Sequence, residues 1–420
     1  MGRSEISAAT LRVESSIGAR YFPYVLSTDR IHHGTPEFRR TNLALFSAGF
    51  ATFALLYCVQ PLMPVFARDF GVSAARSSLS LSLTTGILAP AMIFAGAISE
   101  SRGRKSMMVA SLLASSLLMI LSAFARSWNV FLLTRALAGL AFAGLPAISM
   151  AYLSEEVDPG SIGLAMGLAI GGNGLGGMVG RLVTAYVTDV LSWRWALGAI
   201  GALGVVATGI FWRTLPPSRH FVPRPLRAGA LARTFWEQLR NFRLAPLFAI
   251  GFLLMGAFVT TYNYATYHLL QPPYSLSQTA AGLIFTVYLL GIVASAWVGA
   301  RADRVGRERM LLLMVALMLA GVGLTLLRPL PFVVAGVAVV TVGFFGGHSV
   351  ASSWIGLRAH TSKAQASALY LFFYYMGSSV AGAVGGLFWD AAGWRGVAGY
   401  VTALLLVALA MAGFAARGSG

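Results

Sequence analysis

The chain has 420 residues, of which 57% are hydrophobic and 11% charged, against roughly 25% charged in an ordinary soluble domain. A soluble protein this apolar would expose large greasy patches and aggregate, so the composition excludes a soluble globular enzyme, a disordered chain and a coiled coil. The single cysteine, Cys58, excludes a disulfide framework and a thiolate metal cluster, and the net charge of +17 fits basic turns beside membrane spans better than a nucleic-acid surface.

Residues 1–41 are mixed and polar, carry Arg3, Arg12, Arg20, Arg30, Arg39 and Arg40, and lack the apolar core and cleavage site of a signal peptide. They read as a mobile cytoplasmic tail. Twelve apolar segments follow, at about 43–66, 79–99, 106–125, 130–153, 162–187, 193–212, 244–268, 281–300, 310–327, 331–354, 364–388 and 396–415. Each comes near the ~20 residues a helix needs to cross a bilayer. Backbone in lipid must satisfy its own hydrogen bonds, and unbroken runs of this length predict helices rather than the ~10-residue alternating strands of a barrel. A polar, proline-containing stretch splits the series six plus six. The expected organisation is therefore a tail (1–41), an N-terminal bundle (42–213), a basic linker (214–243), a C-terminal bundle (244–415) and a short C-terminal tail (416–420). The linker contains an amphipathic piece around Phe235-Trp236-Glu237 that either lies on the inner membrane face or simply connects the bundles.

Charge predicts the orientation. Arg102, Arg104 and Lys105 in the 2–3 turn, the linker arginines from Arg213 to Arg243, and Arg301, Arg304, Arg307 and Arg309 in the 8–9 turn all fall on one side. The other side carries Arg68, Arg76, Arg126, Arg194, Arg328 and Arg395. The bias predicts both termini in the cytoplasm.

Two turns repeat. The 2–3 turn reads Gly96-Ala-Ile-Ser-Glu100-Ser-Arg102-Gly103-Arg104-Lys105, and the 8–9 turn reads Gly299-Ala-Arg-Ala-Asp303-Arg304-Val-Gly306-Arg307-Glu308. Gly, acid, Gly and Arg recur at one offset, and Ser192-Trp193-Arg194 is echoed by Gly393-Trp394-Arg395. Two homologous six-helix halves follow from this, as in secondary transporters. Gly96 is expected to let span 2 approach a neighbour closely, Glu100 to accept hydrogen bonds, Gly103 to permit the reversal, and Arg104 and Lys105 to keep the turn cytoplasmic. A pure topology anchor is the plainer alternative.

The first turn resembles the signature that the major facilitator superfamily carries between spans 2 and 3, with Ser101 where Arg is usual and Arg102 beside it. The resemblance implies that Gly96, Glu100, Arg102, Gly103, Arg104 and Lys105, with the second copy Gly299, Asp303, Arg304, Gly306 and Arg307, latch the bundles on the cytoplasmic side in an outward-open state. In span 5, Gly167, Gly171, Gly172, Gly174, Gly176, Gly177 and Gly180 precede Arg181. They form a helix-packing motif that resembles the superfamily's antiporter pattern, with Asn173 where proline is common. Such glycines allow close helix crossing. Stretches around Tyr57-Cys58-Val-Gln60-Pro61, Gly251 to Thr260 and His348 to Trp354 resemble the YnfM-type inner-membrane transporters of bacteria, with a likeness reaching from about residue 34 to 410.

A charge at membrane depth is a functional candidate. Arg135, in Arg135-Ala-Leu-Ala-Gly139, matches the superfamily's span-4 arginine, which the resemblance links to proton coupling. Arg181 can meet an anionic substrate group or a carbonyl, or snorkel to the interface. His348 can titrate in the working range or serve as a packing histidine. No Asp or Glu stands in the middle of a span, which favours a neutral or anionic substrate over a lipophilic cation. Tyr57, Gln60, Asn173, Thr260, Asn263, Tyr264, Tyr267, Ser352, Trp354, Tyr370 and Tyr374 are the cavity candidates. Of these, Thr260, Asn263, Tyr264 and Tyr267 share one helical face, which points either to a cavity or to interhelical partners.

No nucleophile–base pair, metal-ligand cluster or phosphate loop stands out, so the chain is not expected to be an enzyme. No cofactor is expected, and a proton gradient would drive transport. The expected fold is all-α: twelve transmembrane helices in two pseudo-symmetric six-helix bundles around a central cavity. The expected function is proton-coupled efflux of a small neutral or anionic organic solute by alternating access, in the bacterial inner membrane. Its partners are the substrate, protons and the lipid bilayer, and the resemblance implies a monomer. Multidrug/proton antiport of lipophilic compounds is the nearest alternative, and a non-transporting membrane sensor is the alternative of another class.

Overall fold

The computed structural model describes residues 30–221, 228–359 and 362–417, with the side chains of Ala97, Arg102, Ala147, Ala228, Ala230, Leu231, Ala232 and Arg417 outside the description. Nine of the described helices are long and apolar enough to cross a membrane. One of these, Lys363–Arg417, holds 55 residues, and at ~1.5 Å per residue a straight helix of that length would far exceed a ~30 Å hydrocarbon core. It turns at Ala392 and Gly393, where Gly393 adopts φ +56°, and so supplies spans 11 and 12. Span 4 is broken into Trp128–Phe142 and Pro146–Glu156 because Pro146 has no N–H to continue the ladder. The hydroxyl of Ser111 in span 3 donates to the carbonyl of Ala141 at this break. Span 9, Arg307–Leu324, is short and begins with charges. With these three, the described residues hold twelve spans.

Span 1 begins at Pro36, inside the region expected as tail. Thr35 accepts from the N–H of Phe38, Pro36 occupies the first turn and Glu37 follows, a set of start signals that outweighs the polarity of the segment. Just before it, Ile31 pairs with Val157, its N–H donating to the Glu156 carbonyl at 2.9 Å. The linker contains a helix at Ala228–Leu239.

The halves are built alike. Gly172, Gly176 and Gly180 of span 5 face Phe46, Phe50 and Ala54 of span 1, and a Cβ on Gly176 would stand 2.0 Å from the Phe50 carbonyl oxygen. In the second half a Cβ on Gly377 of span 11 would stand 2.0 Å from the Phe252 carbonyl oxygen of span 7. Spans 5 and 11 thus press backbone to backbone on spans 1 and 7, a crossing that only a residue without a side chain allows. The rest of the expected glycine motif is divided. Gly174 turns to Ile292 of span 8, Gly177 lies beside Arg181, and Gly167 and Gly171 meet nothing within 4 Å. The last two are not packing glycines here, because they lie on a face of the helix that no neighbour covers.

Between the bundles, spans 1, 2 and 5 of the first half meet spans 7, 11 and 8 of the second. Among the described residues, the hydrogen bonds that join them lie at the centre and in the half of the molecule opposite the basic turns, hereafter the far end. Tyr267 donates to the Met63 carbonyl (2.9 Å) and lies within hydrogen-bond distance of the Ser77 hydroxyl (2.7 Å). Gln278 donates to the Pro61 carbonyl (2.6 Å), and Ser379 to the Ser82 carbonyl (2.6 Å).

Candidate functional site

Span 1 is helical to Tyr57, passes through a 3-10 turn at Gln60–Leu62 and resumes at Met63. Pro61 supplies no N–H, so backbone carbonyls here need other donors. Arg135 of span 4 reaches Leu56 (3.2 Å) and Thr184 of span 5 reaches Cys58 (2.8 Å). From the other bundle, Gln278 and Tyr267 reach Pro61 and Met63.

The loosened turn places Gln60 at the centre, fully buried. Its side-chain oxygen accepts from Arg181 Nε at 2.7 Å, and its amide nitrogen donates to Asn263 Oδ1 of span 7 at 2.7 Å. Gln60 is therefore oriented by the arginine and bridges the bundles. Arg181 also donates to the Gly177 carbonyl (2.6 Å) and is 2% exposed. Its guanidinium carbon lies 4.5, 5.1 and 4.7 Å from the ring centres of Tyr57, Phe285 and Tyr288, distances at which the ring faces attract the cation. No carboxylate pairs with Arg181 among the described residues. Beyond Asn263, its Nδ2 and Ser82 Oγ are buried without hydrogen-bond partners, both beside Gly382.

The second half adds an aromatic wall. His348 of span 10 is within hydrogen-bond distance of the Tyr370 hydroxyl (2.9 Å), and Phe344 and Tyr374 lie against its ring. Tyr374 packs edge-on against Tyr375.

The other sequence candidates are distributed elsewhere. Arg135 is buried in the first bundle, where Nε donates to the Ser80 carbonyl (2.9 Å) in addition to its bond to Leu56. It ties span 4 to spans 1 and 2 and does not reach the Arg181 cluster. The polar stripe of span 7 serves two neighbours: Asn263 and Tyr267 face the first bundle, whereas Thr260 donates to Ala381 (3.1 Å) and Tyr264 to Gly382 (3.0 Å) on span 11. Asn173 packs toward Gly49 of span 1. Ser352 is bonded within its own helix, and Trp354 carries Arg358 over its ring.

At the basic end the two turns share their backbone, Gly103 at φ +96° and Gly306 at φ +95°, a region that favours glycine. Their side chains differ. Arg104 is buried, donates to both oxygens of Glu155 on span 4 (3.2 and 2.6 Å) and to Ser99 (2.6 Å). Lys105 donates to the Leu215 carbonyl. Glu100 is exposed, and no neighbour within 4 Å meets a Cβ on Gly96. The expectation that Gly96 allows a close helix approach is thus corrected, since none of the described residues packs against it. In the second turn Arg307 pairs with Asp303, Arg304 is exposed, and Gly299 faces Ser349.

Sequence reasoning missed Phe285 and Tyr288, which are ordinary aromatics in an apolar run. It also missed Gln278, which follows a helix-capping serine. Only the fold brings these to Arg181 and Pro61.

A family model described as Major Facilitator Superfamily matches residues 45–272 and again 263–418. The chain is 50% identical over 387 residues to the "Uncharacterized MFS-type transporter YybF" of Bacillus subtilis (strain 168), covering 92% of this chain and 96% of the relative. It is 48% identical over 379 residues to the "Inner membrane transport protein YnfM" of Escherichia coli (strain K12), covering 90% and 91%. Among solved structures, a bacterial homologue of the human lysosomal transporter Spinster, in an inward-facing and occupied conformation, superposes with a TM-score of 0.74 at 14% identity, over 91% of this chain and 98% of that one.

Proposed function

The chain belongs to the Major Facilitator Superfamily of membrane transporters, and on that premise we propose that it moves a small organic anion by alternating access, with Arg181 as the counter-charge. The observation that carries this reading is a buried guanidinium at the bundle interface, boxed by three rings and Gln60, without a carboxylate partner among the described residues. An unpaired charge in a medium of low dielectric is costly, and an incoming carboxylate lowers that cost. A lipophilic cation meets repulsion at the same place. Asn263 Nδ2 and Ser82 Oγ offer further polar contacts. An anion on Arg181 competes with Gln60, so its arrival loosens the bond from Gln60 to Asn263 and with it the contact between the bundles.

The remaining parts of the reading are efflux driven by a proton gradient, with His348 as proton carrier, in a monomer of the bacterial inner membrane with both termini cytoplasmic. His348 supports the first because it is a titratable group deep in the second bundle, among tyrosines. The basic turns support the orientation. In that orientation the far end faces outward, and the described contacts correspond to a state closed to the outside.

The test is thermal stability of the purified protein in detergent at pH 6 and pH 8 against carboxylates, neutral sugars and lipophilic cations. A ligand at 100 times its Kd stabilises the folded state by about 2.7 kcal/mol. Carboxylates are expected to raise the Tm of the wild type and not of Arg181→Gln. A shift with cations alone, or one that survives Arg181→Gln, overturns the reading.

A further inference from the structure

The far end holds two contacts that repeat across the halves. Asp189 lies at the end of span 5 and Asp390 at the end of span 11, 201 residues apart, the spacing that also separates Gly176 from Gly377 and Trp193 from Trp394. Asp189 Oδ2 accepts from the N–H of Thr279 (3.1 Å) and from its hydroxyl (2.6 Å) in the first turn of span 8. Asp390 Oδ2 accepts from the N–H of Ala75 (3.3 Å) in the short helix Ala74–Ser77 that leads into span 2.

The two receiving turns are built the same way. Ser73 accepts from the N–H of Arg76 and Ser277 from that of Ala280, both at 3.2 Å, and Ala75 and Thr279 occupy the second position after these caps. One turn before each carboxylate, a small residue permits the approach: Ala185 lies against Gly282, and Gly386 against Ala75.

We propose that Asp189 and Asp390 are matched gate residues that hold the far ends of the two bundles together during transport, and that Thr279 makes the span 5–8 contact the stronger of the two. Each turn already has its own serine cap, so neither carboxylate is needed to start a helix. Each reaches across to the other bundle, so its bonds exist only while the bundles meet at this end. They therefore act on the equilibrium between states rather than on the fold of either bundle. The proposal does not depend on what the site at Arg181 binds.

The experiment is a pair of distance measurements by spin labelling in liposomes. Cys58 is the single cysteine, so Cys58→Ser gives the background. Labels at positions 126 and 328, both exposed in far-end turns, report the far end; labels at 154 and 304, exposed at the basic end, report the other. Asp189→Ala with Asp390→Ala is expected to add a longer 126–328 component with a matching shorter 154–304 component. The closed-to-open ratio should fall roughly two- to tenfold for each hydrogen bond removed, so Asp189→Ala alone exceeds Asp390→Ala alone. Thr279→Ala should reduce the stronger contact to the level of the weaker, and Thr279→Ser should restore it. If the alanine variants of the acids do not fold, the Thr279 pair and the Asn variants, whose amide oxygen still accepts, answer the same question. Unchanged distances in the double variant, or in Thr279→Ala, overturn the gate, and a larger effect of Asp390→Ala than of Asp189→Ala overturns the asymmetry.

Discussion

The first and second halves of the chain are alike where they pack and unlike where they carry charge. The crossing of span 5 on span 1 is reproduced by span 11 on span 7, down to a glycine facing a phenylalanine carbonyl. In the centre, the position 201 residues beyond Arg181 is Gly382, so one half presents a cation and the other presents space beside an unpaired amide. At the basic end Arg104 reaches Glu155, whereas the residue 203 positions beyond Glu155 is Arg358, and Arg307 turns back to Asp303 of its own turn. A repeat can preserve backbone geometry while its side chains diverge, because packing depends on size at a few crossings and chemistry depends on single residues.

The comparison can be broken most forcefully at its shared feature. Gly176→Ala and Gly377→Ala each place a methyl group on a carbonyl oxygen, and overpacking of this kind costs about 1–3 kcal/mol or more. Unfolding in detergent should show similar losses in both, and sensitivity in one half alone would mean that the crossings are not equivalent. The two buried arginines come next. Arg135→Ala removes two buried bonds from a charged donor, to the Leu56 and Ser80 carbonyls, each worth about 1.5–3 kcal/mol, and should lower the Tm without changing which class of ligand stabilises the protein. Arg181→Ala should abolish stabilisation by carboxylates; if Arg135→Ala does so instead, their roles are reversed. At the basic end, Arg104→Ala removes a two-pronged, mostly buried pair and should cost more than Arg307→Ala, whose exposed pairing belongs to a class worth about 0–1 kcal/mol. Equal losses in a stability assay would remove that distinction. The smallest effect expected is from Tyr262→Phe, which loses one buried hydroxyl contact with Thr341 (2.7 Å), about 1 kcal/mol, with ligand stabilisation intact.

Much of the architecture was legible because a bilayer allows few solutions. Run length, the repeat of the basic turns and the glycine-rich fifth span are enough to predict twelve helices in two related bundles. Helical spacing says which residues share a face, but not how many neighbours that face meets. Thr260 and Tyr264 accordingly bond to span 11 while Asn263 and Tyr267, on the same stripe, bond across to the first bundle. Gly96 and Gly171 show the same limit, since a glycine marks a permitted approach and only the packing decides whether a helix makes it. Gln60 and Arg181 were both visible as polar residues at depth; the bridge between them depends on a turn at Pro61 whose geometry is set by partners from four other spans.

That turn has a thermodynamic consequence. Two of its carbonyls are served from within the first bundle, by Arg135 and Thr184, and two from the second, by Gln278 and Tyr267. In the proposed cycle, parting of the bundles leaves the inner pair bonded and hands the outer pair to water. Exchanging such a bond for hydration changes the free energy by only about 0.5–1.5 kcal/mol, so this turn adds little to the preference for either arrangement. A solute with a modest preference for one arrangement is then enough to redistribute the population between them.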